Sequence, residues 1–208
     1  RINSDEEERL RMGYELITAL HFSEHGDRPA YHTAQVCTPD GDALFRLTYG
    51  DAATLWRLNV GWRRRRDRDL RGFMLDIERG YWARKEQAEP EEDPAEQDPL
   101  SPRMQRVIPY VEDHRNCLLI EPLKPLALEV MASLQAALKS AIQVEFQLED
   151  SELAAEPLPT ADDRRVILLY ESAEGGAGVL RQLLDDSQAL ARVARRALEL
   201  CHYDADTL

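Results

Sequence analysis

Residues 167–180 read Ile-Leu-Leu-Tyr-Glu-Ser-Ala-Glu-Gly-Gly-Ala-Gly-Val-Leu. The apolar run at the start of this stretch breaks into a Gly-Gly-x-Gly turn, and a helical pattern begins at Val179. An apolar run bounded by glycine and followed by helical periodicity is typical of a buried strand that leads into a helix. The stretch therefore predicts a strand, a tight glycine turn and a helix in the C-terminal half of the chain.

The first functional question about this turn is whether it binds phosphate, since backbone N–H groups at a helix start can hold an anion. It lacks the lysine and hydroxyl residue of a P-loop, and it lacks the Gly-x-Gly-x-x-Gly spacing of a dinucleotide turn. Glu171 and Glu174 flank it, and their charges would repel a phosphate unless a metal lay between them. A structural turn is favoured, in which Gly175, Gly176 and Gly178 allow the helix to pack closely on the strand.

The N-terminal part of the chain has the pattern of an antiparallel β structure. Acidic residues at 5–8 follow Asn3 and Ser4 and predict one short helix at the start. Strand-like runs follow at 14–22, 31–38, 44–49, 55–62, 72–77 and 81–82, with a hairpin turn at 39–42. Residues 1–85 are therefore predicted to form a β-rich subdomain.

The C-terminal part alternates strands and helices. Strands are predicted at 106–110, 117–120 and 166–170, and helices at 125–144, 179–185 and 188–201. A loop carrying Pro157 and Pro159 is predicted before the last strand. This alternation favours an α/β layer over residues 104–208, so the fold class is α+β or α/β.

Residues 86–103 separate these two parts. The segment carries four prolines and seven acidic residues with one leucine, so it cannot bury enough apolar surface to offset the entropy of ordering it. It is predicted to be a linker or long exposed loop, within what is still one composite domain.

Composition excludes several classes of protein. The 208 residues are 43% hydrophobic, enough for a sizeable core. No apolar run reaches the roughly 18–20 residues that span a bilayer, and the N-terminus is charged, which predicts a cytoplasmic protein. Cys37, Cys117 and Cys201 lie too far apart for a disulfide framework or a complete metal motif.

The net charge of −13 argues against bulk electrostatic binding of nucleic acid. The basic residues are nevertheless clustered, and the cluster holds Arg63, Arg64, Arg65, Arg66 and Arg68. Guanidinium groups bind phosphate oxygens in pairs, and nearby Trp56, Trp62 and Trp82 are suited to stack on single-stranded bases. Pairing of the arginines with acids of the same chain, and burial of the tryptophans in a core, are the alternatives.

Two further groups of residues have more than one interpretation. Residues 113–116, Asp-His-Arg-Asn, bring an acid, a base and donors together, or form a turn that bonds to local backbone. Cys201 and His202 can begin a zinc site, which normally needs four ligands.

The glycine turn, taken with three other segments, resembles a known family. Residues 169–178 are similar to a Tyr-(Asp/Glu)-x-(Ala/Pro)-x-Gly-Gly-(Ala/Val)-Gly signature, and matching pieces occur in the same order at 13–18, 111–119 and 132–138. The signature is that of a C-terminal domain of unknown function in superfamily-2 DEAD/DEAH-box helicases and in helicase-associated anti-phage defence proteins, and a version in mitomycin-repair helicases binds zinc.

The resemblance implies a noncatalytic accessory domain of a bacterial helicase or helicase-partner protein, in DNA repair or anti-phage defence. Its expected partners are single- or double-stranded DNA and a helicase motor or partner subunit. Zinc-binding members carry clustered cysteines after the last helix, so Cys201 corresponds at most to a first ligand, and zinc is expected only in a full-length protein. Because the chain starts at Arg1 and stops at Leu208, we expect it to be cut from a longer protein.

Two competing functions remain open from the sequence. One is a protein-interaction module that never contacts nucleic acid. The other is an enzyme that uses Glu171 and Glu174 as metal ligands or acid/base groups, although the sequence offers no nucleophile or third ligand. The motor's ATP-binding motifs are absent, so the expectation is that this chain hydrolyses no ATP.

Overall fold

The structure is a computed structural model, and it describes residues 13–22, 24–25, 28–82, 103–172 and 176–203. The predicted helix at the start of the chain and nearly all of the predicted linker at 86–103 lie outside the described residues. Residues 173–175 of the glycine turn lie outside them as well.

The strands, in chain order, are β1 (Tyr14–His21), β2 (Glu24–His25), β3 (Arg28–Pro29), β4 (Tyr31–Cys37), β5 (Ala43–Trp62), β6 (Phe73–Asp76), β7 (Met104–Val107), β8 (Tyr110–Pro122), β9 (Leu153–Thr160) and β10 (Asp163–Glu171). The main sheet has the order β1-β5-β8-β10-β9, and β4 pairs with β5 beside this path. β2 pairs with β3, and β6 pairs with β7, as separate two-stranded sheets. The register of β10 places Leu169 opposite Leu118 of β8, antiparallel.

Three helices accompany the sheet over the described residues: α1 (Leu128–Glu145), α2 (Val179–Asp185) and α3 (Ala189–Leu200). The α+β class expected from the sequence is confirmed, and the three helices predicted in the C-terminal part are present. No helix in the described part of the chain is long and apolar enough to span a membrane.

Successive side chains of β10 point to opposite faces of the sheet, and both faces are buried. Ile167 and Leu169 belong to the larger core cluster, which also contains buried residues of all three helices. Leu168 and Tyr170 point the other way and belong to a second cluster with Cys117 of β8. The run of apolar residues that predicted a buried strand is thus apolar because each of its faces meets a core.

Three strands differ from the sequence-based prediction. The runs at 44–49 and 55–62 form one strand, β5, which passes through Ala52 in a left-handed conformation (φ 48°). The Ala52 N–H donates to Asn116 Oδ1 at 3.2 Å, so a side chain from β8 supports the irregular residue.

The predicted proline loop is wrong, because Pro157 and Pro159 lie within β9. β9 ends the strand order of the main sheet, and an edge strand tolerates residues without an N–H donor. The segment 113–116 was expected to precede a strand, but it lies inside β8.

The chain divides into two compact units. The first unit comprises residues 1–17 and 57–111, and the second comprises 18–56 and 112–208. Each unit therefore takes residues from both sides of the segment 86–103.

Candidate functional site

The arginine run lies in the first unit, in the connection between β5 and β6, which we call the arginine loop (residues 63–71). Arg63, Arg64, Arg66 and Arg68 are exposed, and Arg71 is exposed at the end of the loop. None of these five side chains forms an ion pair or hydrogen bond within the described part of the chain. Their guanidinium groups are therefore presented to solvent.

Arg65 has a different position from the other arginines. Its side chain is 4% exposed, and Nη1 donates to Glu15 Oε2 at 2.6 Å. Nη1 and Nη2 also donate to the carbonyl oxygens of Trp62 (3.0 Å) and Arg68 (2.7 Å). Arg65 thus ties both ends of a short loop segment to β1, and its guanidinium is not available to a ligand in this conformation.

The described residues of the first unit are net positive, although the unit as a whole contains 15 basic and 16 acidic residues. Its described residues include ten arginines and five acidic residues, whereas the whole chain has a net charge of −13. A locally positive surface can attract an anionic partner that the average charge would repel, because salt screens charges beyond about 8–10 Å.

Aromatic rings form a row in the same unit. Tyr14 stacks on Trp62 with centroids 4.3 Å apart, and Phe73 lies edge-on to Tyr14 and to Trp82 at 6.0 Å each. Trp62 is 45% exposed and Trp82 is 52% exposed, so the row has open ring faces. Exposed indole rings beside unpaired arginines can stack on bases while phosphates are neutralised.

The sequence-based prediction grouped Trp56 with Trp62 and Trp82, and that grouping stays a prediction. Trp56 belongs to the second unit, where its Nε1 donates to Glu112 Oε2 at 2.7 Å. Tyr14 and Phe73 were missed, because alternation along single strands does not reveal which rings meet across strands.

The glycine turn is organised around Glu171, which is 1% exposed. Its Oε1 accepts the Leu180 N–H at 3.0 Å, and its Oε2 accepts the Gly178 N–H at 3.2 Å and Asn116 Nδ2 at 3.1 Å. A Cβ atom on Gly176 would lie 1.9 Å from Oε2, so glycine is required there. The carboxylate satisfies donors at the start of α2 and is not open to a substrate. Glu174 lies outside the described residues.

The segment 113–116 meets the same turn. Arg115 donates through Nε and Nη2 to Asp113 Oδ2, at 3.0 and 2.6 Å, and through Nη1 to the carbonyl oxygen of Ser172. His114 points elsewhere, with Nδ1 3.4 Å from Thr54 Oγ1. Two segments that the sequence indicated separately are therefore parts of one bonding network.

Two buried groups near the network have raised pKa values. Burial raises the pKa of Tyr49 well above its usual range, and the hydrogen bond that Tyr49 donates to Asp51 adds to the shift. Burial also raises the pKa of the Cys117 thiol to about 12, and the negative charges of Glu156 and Glu171 act in the same direction. Both groups stay protonated at neutral pH, where neither is an activated nucleophile.

The residues described do not fit a zinc site. Cys201 is exposed at the end of α3 and is followed by His202, which has a φ of 57°. No group of three or more His, Cys, Asp or Glu side chains in the described ranges could hold a metal ion. Since structural zinc takes four ligands, Cys201 and His202 do not make a site by themselves.

Comparison with known proteins finds a family match in the C-terminal segment. Residues 134–205 match the model of a family described as the MrfA Zn-binding domain, and the helicase-associated resemblance predicted from the sequence is confirmed for this segment. No curated protein matches the chain. The solved structure of the DUF1998 helicase MrfA bound to DNA aligns with a TM-score of 0.48 and 10% identity over 92% of this chain. This chain spans 21% of the length of that solved chain.

Proposed function

Since residues 134–205 match the MrfA Zn-binding domain, we propose that this chain is a noncatalytic accessory domain of a bacterial helicase or of a helicase-partner protein. In this proposal it contacts nucleic acid beside an ATP-driven motor, in DNA repair or anti-phage defence. The observation that carries the nucleic-acid part is the arginine loop, with its five exposed guanidinium groups.

The contacts expected at this surface are of two kinds. The exposed arginines bind phosphate oxygens, and the open faces of Trp62 and Trp82 stack on bases of a single strand. Both contacts are independent of base sequence, because every nucleotide offers a phosphate and a π-face. Such a surface suits a domain that holds or guides a strand during movement of a motor.

Arg65 has a supporting role in this proposal. Its bonds to Glu15 and to two loop carbonyl oxygens fix the loop backbone from which the other arginines project. It therefore acts on binding through the loop conformation and does not contact phosphate itself.

A second candidate function is docking of the motor or of a partner protein without nucleic acid. The first unit exposes several large apolar side chains besides its arginines, and these are Ile77, Tyr81, Ile108, Tyr110 and Val111. Clustered exposed apolar residues mark protein contacts in many proteins. Zinc belongs to the proposal only with Cys201 as one predicted ligand and the other ligands outside the described residues.

The test is fluorescence anisotropy with labelled single- and double-stranded DNA across a salt series. The variant R63A/R64A/R66A/R68A removes four exposed guanidinium groups and keeps Arg65 in place. The control R46A/R165A/R181A/R195A removes four arginines from the second unit, so the change in net charge is the same.

We expect the loop variant to bind at least tenfold more weakly, with a shallower dependence of log K on log salt, because fewer counterions are released. The control variant should bind almost as well as the natural chain. Equal losses in the two variants, or no binding at low salt by the natural chain, would favour the docking function.

A further inference from the structure

We propose that Tyr14 is a positioning residue that holds the ring of Trp62 as a stacking platform for one base, directly beside the arginine loop. This role rests on the proposed function, because it concerns the same nucleic-acid surface. Tyr14 acts through Trp62 and does not contact the ligand itself. Binding then has a base-dependent part, which needs Tyr14, and a phosphate-dependent part, which does not.

The Trp62 ring is covered on one face and open on the other. Tyr14 stacks on it with the centroids 4.3 Å apart and an angle of 25° between the ring planes. Trp62 is nevertheless 45% exposed, so the face turned away from Tyr14 is left to solvent. A base on that free face continues the stack that the two side chains have begun.

Tyr14 is held in place by contacts of its own. Phe73, the first residue of β6, lies edge-on to the Tyr14 ring, with centroids 6.0 Å apart and an angle of 66° between the planes. The backbone beside the ring pair is joined as well, because the Arg63 N–H donates to the carbonyl oxygen of Gly13. The segment that carries Trp62 is therefore tied to the segment that carries Tyr14 through both rings and backbone.

Fixing the Trp62 ring before binding favours stacking. Trp62 is the last residue of β5, and an exposed side chain at a strand end has several rotamers available. A base that stacks on a free ring has to select one of these rotamers, which costs side-chain entropy. Because Tyr14 already selects one, the base meets a preorganised surface.

The chain neighbours of Trp62 supply the phosphate contacts. Arg63 and Arg64 follow it directly, and both are exposed, without an ion pair or hydrogen bond in the part of the chain that the structure describes. Since consecutive Cα atoms lie about 3.8 Å apart, the ring and the two guanidinium groups can hold a base and its adjoining phosphates. The arginines do not need Tyr14 for their contacts, so loss of Tyr14 weakens only the base-dependent part.

Fluorescence anisotropy with two labelled oligomers of equal length separates the two parts of binding. One is oligothymidylate, and the other is an abasic oligomer that carries the same phosphates without bases. We expect the natural chain to bind oligothymidylate about fivefold or more tightly than the abasic oligomer. The variant Y14A should bind both oligomers equally, with the affinity that the natural chain has for the abasic one.

Two matched variants should keep the preference for oligothymidylate. Y14F keeps the ring and removes a hydroxyl that forms no hydrogen bond within the described residues. Y110A removes an exposed tyrosine from the same unit. A third variant, W62L, removes the platform and leaves Tyr14 in place, so it should abolish the preference even if Y14A does not fold.

The motion of the Trp62 ring can also be measured without DNA. The background W56F/W82F leaves Trp62 as the only tryptophan of the chain. Time-resolved fluorescence anisotropy in this background should show an added fast ring motion, on the picosecond to nanosecond scale, in Y14A and not in Y14F. Circular dichroism checks that each variant is folded.

Each contrary result has a separate meaning. Equal binding of the two oligomers by the natural chain would overturn the platform at Trp62 and leave the arginine contacts of the proposed function in place. A preference that survives Y14A, or a ring that stays equally rigid in that variant, would overturn the role of Tyr14. No binding of either oligomer by the natural chain would remove the proposed contact with nucleic acid, and this role with it.

Discussion

The Glu171 carboxylate occupies the acceptor position that an anion takes at other helix starts. It is almost fully buried and accepts hydrogen bonds from Leu180, Gly178 and Asn116. The donors at the start of α2 are therefore satisfied within the chain. The structural turn expected from the sequence stays a prediction, and these hydrogen bonds are the observation that favours it.

At the same scale, Glu171→Gln should destabilise the fold by about 2–3 kcal/mol, because the introduced NH2 group must face an N–H donor and leave both unsatisfied in a buried place. Urea denaturation measures the change in the free energy of unfolding. Glu129→Gln, at an exposed position in the first turn of α1, is the control and should change it by less than about 0.5 kcal/mol. Equal effects of the two changes would contradict the assigned role.

Part of this residue-scale picture was available from the sequence. The spacing of Gly176 and Gly178 indicated a turn, and the missing lysine argued against phosphate. The partner Asn116 was not predictable as such, because its amide reaches Glu171 only through the pairing of β8 with β10. Likewise, no local signal separates Arg65, which is buried, from the exposed arginines on either side.

At the scale of elements, the helices were predictable and some strands were not. The periodicity that predicts α1, α2 and α3 is a local property of each segment. β9 contains two prolines and is a strand only because an edge tolerates them, which depends on the order of strands in the sheet. β5 runs through residues with weak β-propensity because Asn116 supports Ala52 from the neighbouring strand.

The connection between β10 and α2 gives an element-scale prediction. Gly176 and Gly178 both have positive φ, 66° and 73°, but only at Gly176 would a Cβ atom meet the Glu171 carboxylate. Gly178→Ala should cost about 1 kcal/mol from backbone strain, and Gly176→Ala should cost clearly more. Thermal and urea unfolding of the two variants measure the difference, and a smaller cost at Gly176 would show that the turn rearranges freely.

At the scale of the whole molecule, each of the two compact units is built from two separate stretches of sequence. Composition suggested subdomains at 1–85 and 104–208, and this division stays a prediction. Each compact unit takes residues from both of these ranges, and β5 pairs with β8 in the main sheet. The reason lies in strand pairing between distant segments, which composition does not reveal.

We therefore expect the fragments 1–85 and 104–208 to fold only together. Expressed alone, each should lack a cooperative unfolding transition, and coexpressed they should purify as a one-to-one complex. Size-exclusion chromatography with circular dichroism checks both points. A fragment that unfolds cooperatively by itself would instead support two separable subdomains.

The close approach of Gly176 to Glu171 and Asn116 limits which residues related sequences can carry at these positions. A larger residue at position 176 removes the space for the carboxylate, and loss of the carboxylate leaves the amide of residue 116 and the N–H groups at the start of α2 without an acceptor. A mutation at any one of these three positions is therefore expected to disturb the other two. In divergent descendants of this sequence, Asn116, Glu171 and Gly176 should persist together.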